Sequence, residues 1–218
     1  MSAHDRSALH GEDPLSAARR KGRVAAAGHT GDAGTVRAGL ADADAGVRAA
    51  ALAGLLRLGE AGLDDVEQGL ADPSPAVRRR AAELAWRVDA PQAELAAAVS
   101  RRLEDEEGEV VEAVCFCLGE LRPPGVTALL AAVATAHSDP LCRESAVAAL
   151  GAIGEPDALP FILEALGDRP PVRRRAVLAL ASYDGLEVDA ALERALEDRD
   201  WQVRQAAEDL SGARGRGG

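Results

Sequence analysis

The side chains best suited to metal binding or catalysis are few, because the chain has four histidines and three cysteines. Non-haem iron sites combine histidine with carboxylate ligands. None of the four histidines is followed by glutamate, so the chain has no His-Glu dipeptide. His4 and His10 lie in a segment that we expect to be a mobile tail, and we expect a structural role for His137. The histidines therefore predict no metal centre.

The three cysteines do not predict a metal site or a disulfide framework. Cys115 and Cys117 are two positions apart in a segment with helical spacing, so their side chains diverge by about 200° and cannot hold one ion together. Cys117 and Cys142 fall on the apolar stripe, which predicts small buried side chains, with redox or metal roles as the alternative. The odd cysteine count favours a reducing compartment, and we expect the protein in the cytoplasm.

The run EDEEGEVVE at residues 104–112 contains six carboxylates. It lacks the ligand spacing and the glycine position of a calcium-binding EF-hand loop. We interpret it as a solvated loop, and contact with a basic partner is the alternative.

No sequence motif predicts catalysis. The chain has no P-loop, Gly-x-Ser-x-Gly, Cys-x-x-Cys or dinucleotide fingerprint. We therefore expect no catalytic residue, no metal and no cofactor, and a protein that is not an enzyme.

The composition favours an all-α fold. Hydrophobic residues make up 47% of the chain but aromatic residues only 2%, so the apolar content is mostly Ala, Leu and Val. Ala and Leu are strong helix formers, whereas a β-sandwich needs more β-branched and aromatic residues. A net charge of −11 disfavours sequence-independent binding to nucleic acid or anionic lipid. No apolar stretch is long enough to span a bilayer, so we expect no membrane association.

An internal repeat supplies the elements that must position any site. A short motif centred on Val-Arg recurs every 30 to 33 residues, and a fixed period of this size is typical of a helical solenoid. We predict about six helical hairpins over residues 14–211, with a degenerate earlier copy at 16–28, a flexible tail at 1–13 and a disordered Gly/Arg tail at 212–218. The anchor residues of the copies are Val47, Val77, Val110, Cys142, Val172 and Val203.

Each predicted hairpin has recognisable helix boundaries. The second helices are expected to start after the capping residues Asp44, Ser74, Asp139 and Asp200, and to end at Gly59, Asp89, Gly154 and Asp184. The predicted first helices span 63–70, 93–103, 126–136, 158–166 and 188–196.

The residue after each anchor is usually arginine, and an aspartate lies between the two helices of each hairpin. A guanidinium placed there can make charge-assisted bonds to a carboxylate or to helix-end carbonyls. We interpret these residues as structural. They are Arg48, Arg78, Arg143, Arg173 and Arg204, with Asp42, Asp72, Asp168 and Asp198.

The motifs DADAGVRAAA (42–51), DPSPAVRRRA (72–81), DRDWQVRQAA (198–207) and GEPDALPFILEALGD (154–168) resemble HEAT repeats of the phycobilisome-lyase type. This resemblance covers about residues 14–211 and implies a right-handed α-α superhelix. Such proteins include scaffolds, chromophore-lyase subunits and enzymes; the related iron hydroxylases use repeated His-Glu dipeptides, which are absent here. The copy at 109–113 departs from the pattern, because Val111 replaces the arginine and Glu107 replaces a short cap. We expect looser pairing there.

In such arrays the second helices line the concave surface, so residues opposite the core stripe form a candidate protein-binding face. Leu56, Trp86 and Phe116 would form an apolar row flanked by charges, unless packing between repeats buries the two aromatic residues. The candidate face comprises Leu56, Arg79, Glu83, Trp86, Glu112, Phe116, Glu144, Arg174 and Leu178.

The sequence thus predicts a monomeric, non-enzymatic scaffold that binds a protein or peptide. One alternative is a lyase-like or chromophore-handling subunit, which the family resemblance alone suggests. Another is a nucleic-acid binder, which the arginine runs 78–80 and 173–175 support and the acidic charge opposes.

Overall fold

The computed structural model describes residues 14–215, which form thirteen α-helices and no β-strand. This confirms the predicted all-α class. The helices are α1 (Pro14–Thr30), α2 (Ala33–Gly39), α3 (Ala45–Leu58), α4 (Leu63–Leu70), α5 (Pro75–Ala85), α6 (Gln92–Ser100), α7 (Gly108–Leu121), α8 (Thr127–Ala136), α9 (Pro140–Ile153), α10 (Leu159–Ala165), α11 (Pro170–Ala179), α12 (Leu186–Leu196) and α13 (Trp201–Gly215). Short 3₁₀ turns at Pro156–Ala158 and Leu180–Ser182 precede α10 and follow α11.

The helices are arranged as hairpins in two compact units, which divide between Asp89 and Ala90. The first unit contains α1 and the hairpins α2/α3 and α4/α5. The second contains the hairpins α6/α7, α8/α9, α10/α11 and α12/α13. Second helices pack on second helices, with α1 and α5 against α3 in the first unit and α7, α9, α11 and α13 in succession in the second. The six hairpins match the six copies of the motif, and α1 is the second helix of the degenerate copy.

The anchor residues form the buried seam between the hairpins. All six are at most 2% exposed, because each sits at the start of a second helix on the side that faces its neighbours. A hairpin of two short helices cannot bury both apolar faces by itself, so stacking supplies the missing contacts.

Most predicted second helices begin at the predicted cap. Asp44 accepts the backbone N–H of Val47 at 3.0 Å, and Asp139 accepts that of Leu141 at 2.9 Å. Ser74 occupies the cap position of α5, but its side chain makes no capping bond. Glu107 takes the cap position of α7 and likewise makes none, as its longer side chain predicts. The short-capped copies therefore start where sequence rules place them.

Two of the four predicted helix ends are wrong. Gly59 and Gly154 close α3 and α9 with positive φ, as glycine permits. Asp89 and Asp184, in contrast, lie beyond the ends of their helices. A turn follows α5 at Ala85, and a 3₁₀ turn follows α11. Both helices therefore end several residues before the predicted aspartates.

Two further boundaries differ from the sequence expectation. Helix α2 was not predicted, because AGTVRAG offers a single large apolar residue. It forms because Asp32 caps it and Val36 is fully buried. Helix α13 continues to Gly215, through part of the predicted disordered tail, since Arg214 donates to Asp184 at 2.9 Å and to Asp189 at 3.2 Å. Residues 1–13 and 216–218 lie outside the described part of the chain.

The predicted arginines and aspartates join successive hairpins. Arg48 donates from Nε and Nη2 to both carboxylate oxygens of Asp72 in the next hairpin, each bond 2.7 Å long. It also donates to the carbonyl of Asp42 in its own loop at 2.8 Å, which holds the guanidinium in place. We call this paired contact an Arg–Asp bridge. Three more join Arg20 to Asp42 (2.7 and 3.0 Å), Arg143 to Asp168 (2.7 and 2.7 Å) and Arg173 to Asp198 (2.8 and 2.7 Å).

Arg20 extends this ladder of bridges beyond the predicted set. It lies in the degenerate copy, where no Val-Arg pair marks it. Arg78 and Arg204 donate to loop carbonyls of their own hairpins, those of Asp72 at 3.1 Å and Asp198 at 2.7 Å. Contacts with a carboxylate and contacts with main-chain carbonyls were both expected for these arginines.

Replacing Asp168 with asparagine should lower the free energy of unfolding by about 2 kcal/mol, because a charge-assisted bond at a half-buried site is lost. Urea denaturation followed by circular dichroism measures this change. Asp189→Asn is the matched control, since Asp189 is 61% exposed in its pair with Arg214, and should cost about 0.5 kcal/mol or less. Equal losses in the two variants would contradict a special role for the bridge.

The bridges also predict how stability depends on pH. Hydrogen bonds from Arg143, Arg173 and Arg20 lower the pKa of Asp168, Asp198 and Asp42 below the ordinary value, although partial burial opposes this. These carboxylates stabilise the fold fully above their unfolded pKa of about 3.9, and the stabilisation is lost as pH falls through the lower folded pKa. Asp168→Asn should therefore lose less stability than the wild type between pH 5 and pH 2, in urea titrations at each pH. Equal losses of stability in the variant and the wild type over this pH range would refute the prediction.

Candidate functional site

The predicted face is divided between the two units, and each part can be described by itself. In the first unit Leu56 lies on α3, Arg79 and Glu83 on α5, and Trp86 directly after α5. In the second unit Glu112 and Phe116 lie on α7, Glu144 on α9, and Arg174 and Leu178 on α11.

In the first unit the exposed apolar group is Trp86, whose side chain is 38% exposed. The guanidinium of Arg87 lies 6.0 Å from the centre of the indole ring, within range of a cation–π contact. Glu83 pairs with Arg80 at 2.8 Å and with Arg79 at 3.6 Å. Leu56 is half-buried. The structure therefore leaves an aromatic ring accessible among paired charges, and packing between repeats does not bury it.

In the second unit Phe116 is 52% exposed and Leu178 39% exposed. Phe116 lies at the edge of a groove of about 290 Å³ on the second helices, whose floor consists of small residues of α7 and α9. Gly119 allows close packing there, because a Cβ on it would lie 3.2 Å from Cα of Ala149 on the packed helix, a tight contact. We call this the second-helix groove. Its lining is Phe116, Gly119, Glu120, Ser145, Ala148, Ala149, Ala152 and Arg175.

The charged residues of the second-helix groove differ partly from those predicted. Arg175 lines the groove and donates to Glu144 at 3.3 Å, whereas the predicted Arg174 is exposed outside the lining. The sequence offsets fix the orientation of a helix only to within about one residue. Since one residue corresponds to a rotation of about 100° around the helix, such an error exchanges neighbouring arginines on the predicted face. Glu120 and Ser145 were also missed.

A second electrostatic feature lies near the groove on α7. Burial raises the pKa of Glu112, and the carboxylates of Asp139, Glu109 and Glu144 raise it further. A cationic group placed beside Glu112 would relieve this repulsion. Both signs of charge therefore surround Phe116, with Arg175 on one side and carboxylates on the other.

The cysteines are not arranged for reaction. All three are buried and reduced. Burial, aided by the proximity of Cys142 and Glu112, raises the pKa of Cys115 to about 12. Burial and the nearby Asp139 carboxylate raise the pKa of Cys142 to about 11. Since the thiolate is the nucleophile and the metal ligand, these thiols are inert at neutral pH.

Within residues 14–215, no group of three or more histidine, cysteine or acidic side chains is placed to hold a metal ion. His137 lies in the loop between α8 and α9, where its Nδ1 accepts the backbone N–H of Asp139 at 3.1 Å. None of the helices in that range has the length and apolar character needed to cross a bilayer.

The arrangement of helical hairpins agrees with a known family of repeats. The family profile for HEAT repeats matches residues 63–151, 95–181 and 135–211, which together cover most of the chain. The chain belongs to the HEAT repeat family. No curated protein is significantly similar in sequence to this HEAT repeat chain.

Solved structures of similar fold include one natural protein and two engineered ones. Escherichia coli YibA is 17% identical, with a TM-score of 0.61 over 79% of this HEAT repeat chain and 67% of YibA. An engineered protein is also 17% identical, with a TM-score of 0.57 over 82% of this chain and 94% of the engineered protein. A designed armadillo repeat protein is 17% identical, with a TM-score of 0.53 over 81% of this chain and 97% of the designed protein. At this identity the similarity establishes the fold alone.

The buried thiols lead to a chemical prediction. Ellman's reagent should label none of the three cysteines of the folded protein at pH 8 within an hour, and all three in 6 M guanidinium chloride, because burial keeps the thiols protonated and inaccessible. Absorbance at 412 nm gives the count. Rapid labelling of the folded chain would show that Cys115 or Cys142 is more accessible than its burial implies.

Proposed function

We propose that this HEAT repeat protein is a non-enzymatic scaffold that binds a protein or peptide partner on its second helices. The observation that carries the proposal is the exposure of Phe116 beside the second-helix groove, in a chain with very few aromatic residues. Aromatic side chains that are accessible on a rigid surface are frequent hot spots of protein recognition.

The aromatic residues support this assignment by their placement. Of the five in the chain, Tyr183 is buried, whereas Trp86, Phe116 and Trp201 are exposed. An exposed ring gains little for folding, since its apolar area remains in water. Two of the exposed rings, Trp86 and Phe116, belong to the predicted face and lie near charged side chains. A polar rim around an apolar centre is the usual anatomy of a binding interface.

The structure also supports a surface that is already ordered before binding. Close packing of α7 against α9, with Gly119 at the contact, fixes the floor of the second-helix groove. The bridges Arg143–Asp168 and Arg173–Asp198 fix α9 and α11 to the hairpins that follow them. A preorganised surface loses less conformational entropy on binding.

Nucleic acid is a poor fit to the same surface. The runs 78–80 and 173–175 each hold three arginines, but most of these arginines are engaged in bonds within the chain. Arg173 is only 5% exposed in its bridge, and Arg80 and Arg175 pair with glutamates. A net charge of −11 also disfavours the release of counterions from a phosphate backbone, on which sequence-independent binding depends.

The finer classification as HEAT repeats of the phycobilisome-lyase type is also a proposal. It is supported by the Asp-x-x-x-x-Val-Arg motif at 42–48, 72–78 and 198–204. The burial of all three cysteines does not favour their use as nucleophiles in lyase chemistry.

Trp86→Ala together with Phe116→Ala should abolish capture of the physiological partner, because both variants remove an accessible aromatic anchor. The measurement is affinity purification of the tagged chain from its native cell, followed by quantitative mass spectrometry. The two single variants show which unit carries the contact.

The matched control is Trp201→Ala, which removes a ring that is 65% exposed at the start of α13 and lies outside the predicted face. This variant should keep the partner, and circular dichroism should give all variants the same melting temperature within about 3 °C. An unchanged partner set in the double variant would refute the proposal.

A further inference from the structure

The ladder of Arg–Asp bridges is interrupted at one junction of the second unit, where both members of the bridge are replaced. Val111 occupies the arginine position of α7 and is fully buried. His137 occupies the aspartate position of the next loop. Its Nδ1 accepts the backbone N–H two residues onward, as the carboxylates of Asp42 and Asp198 do in their loops. The loop keeps its turn, but no guanidinium–carboxylate bridge can form between these two side chains.

A large cavity lies beside the interruption. In the first unit the cavity beside the bridge Arg48–Asp72 has a volume of only about 20 Å³. In the second unit the cavity beside Asp198 has about 190 Å³. The cavity beside His137, between α6 and α8, has about 610 Å³. The second helices α7 and α9 remain closely packed at the same junction. The interrupted junction therefore has the largest of these three cavities.

The chemistry of this opening, which we call the α6–α8 groove, is apolar inside and acidic at one end. Leu103 and Val133 are buried in its wall, and Leu129 is 50% exposed within it. Arg101, Glu104 and Asp105 lie at the end where α6 stops. The acidic run continues from there with two more glutamates, so residues 104–107 carry four carboxylates against the two arginines at 101 and 102. The Asp105 side chain is only 2% exposed and pairs with Arg102 at 3.9 Å, so the carboxylates open to a partner are the three exposed glutamates at 104, 106 and 107.

We propose that the α6–α8 groove is a second docking site, for a partner peptide segment that presents an apolar side chain next to lysine or arginine. The volume falls in the range of about 300 to 1,000 Å³ that is typical of ligand sites. The apolar side chain would cover Leu129, and the cation would lie beside the three exposed glutamates. This site is separate from the second-helix groove, and it does not depend on the function proposed for that face.

Charge complementarity selects this occupant. An acidic segment would be repelled by the three exposed glutamates, and a wholly apolar one would leave the end of the groove without a counter-charge. The attraction to a cation at an exposed groove is screened by salt, so binding should weaken as ionic strength rises.

The test uses a random 12-residue peptide display library and the full chain carrying Trp86→Ala and Phe116→Ala, so that peptides for the second-helix face are not selected. Enriched peptides are synthesised and their affinity is measured by fluorescence polarisation. We expect sequences that pair an apolar residue with lysine or arginine, and binding at least tenfold weaker in 500 mM than in 50 mM salt.

Leu129→Glu should weaken these peptides at least tenfold, because it places a charge on the apolar surface of the groove. Leu186→Glu is the matched control, since Leu186 is 87% exposed on α12, and it should leave the affinity unchanged. Glu104→Lys with Glu106→Lys provides a second test that leaves the apolar wall intact, and it should weaken binding at least fivefold.

The proposal is overturned if no peptide is enriched, if the enriched peptides are acidic or uncharged, or if Leu129→Glu binds them as tightly as its parent does. Self-association of the chain that Leu129→Glu abolishes would also overturn it, because the occupant would then be a second copy.

Discussion

The bond between an arginine of one hairpin and both carboxylate oxygens of the next hairpin's loop aspartate is the contact on which this fold depends. Each hairpin consists of two short helices rich in alanine, whose packing is close but not strongly directional. The planar guanidinium can donate two hydrogen bonds to a carboxylate only within a narrow range of positions. Its remaining N–H groups donate to main-chain carbonyls, which hold the guanidinium in place. The bridge therefore sets the spacing of successive loops, while the anchor valines supply the hydrophobic contribution.

Most of this design could be predicted from the sequence, because its signals are local and repeated. The anchors Val47 to Val203, the caps Asp44 and Asp139, and the capping glycines Gly59 and Gly154 all follow rules that relate a residue to its immediate neighbours. The arginines of the ladder were also predicted, since they stand at a constant offset from the anchors. Repetition makes such signals reliable, because an accidental motif would not recur with a period of about 30 residues.

Features set by distant contacts could not be predicted. Helix α2 has a weak sequence pattern and is stabilised by burial of Val36, and α13 extends because Arg214 reaches Asp184 and Asp189. The bridge from Arg20 was missed because its copy of the motif is degenerate. At the candidate site, the exchange of Arg174 for Arg175 arises from the rotation of α11, which tertiary packing fixes. At the junction of the α6–α8 groove, the sequence indicated the departure at Val111 but not the replacement of the loop aspartate by His137.

The central claim is that an Arg–Asp bridge determines how closely the loops of successive hairpins approach, and building one at the interrupted junction tests it most directly. The measurement is a double-mutant cycle of Val111→Arg and His137→Asp, with free energies of unfolding from urea denaturation. We predict that the double variant is more stable than the sum of the single changes by about 1 to 2 kcal/mol, because the two new side chains pair. Additive effects, with no coupling between positions 111 and 137, would contradict this explanation of the fold.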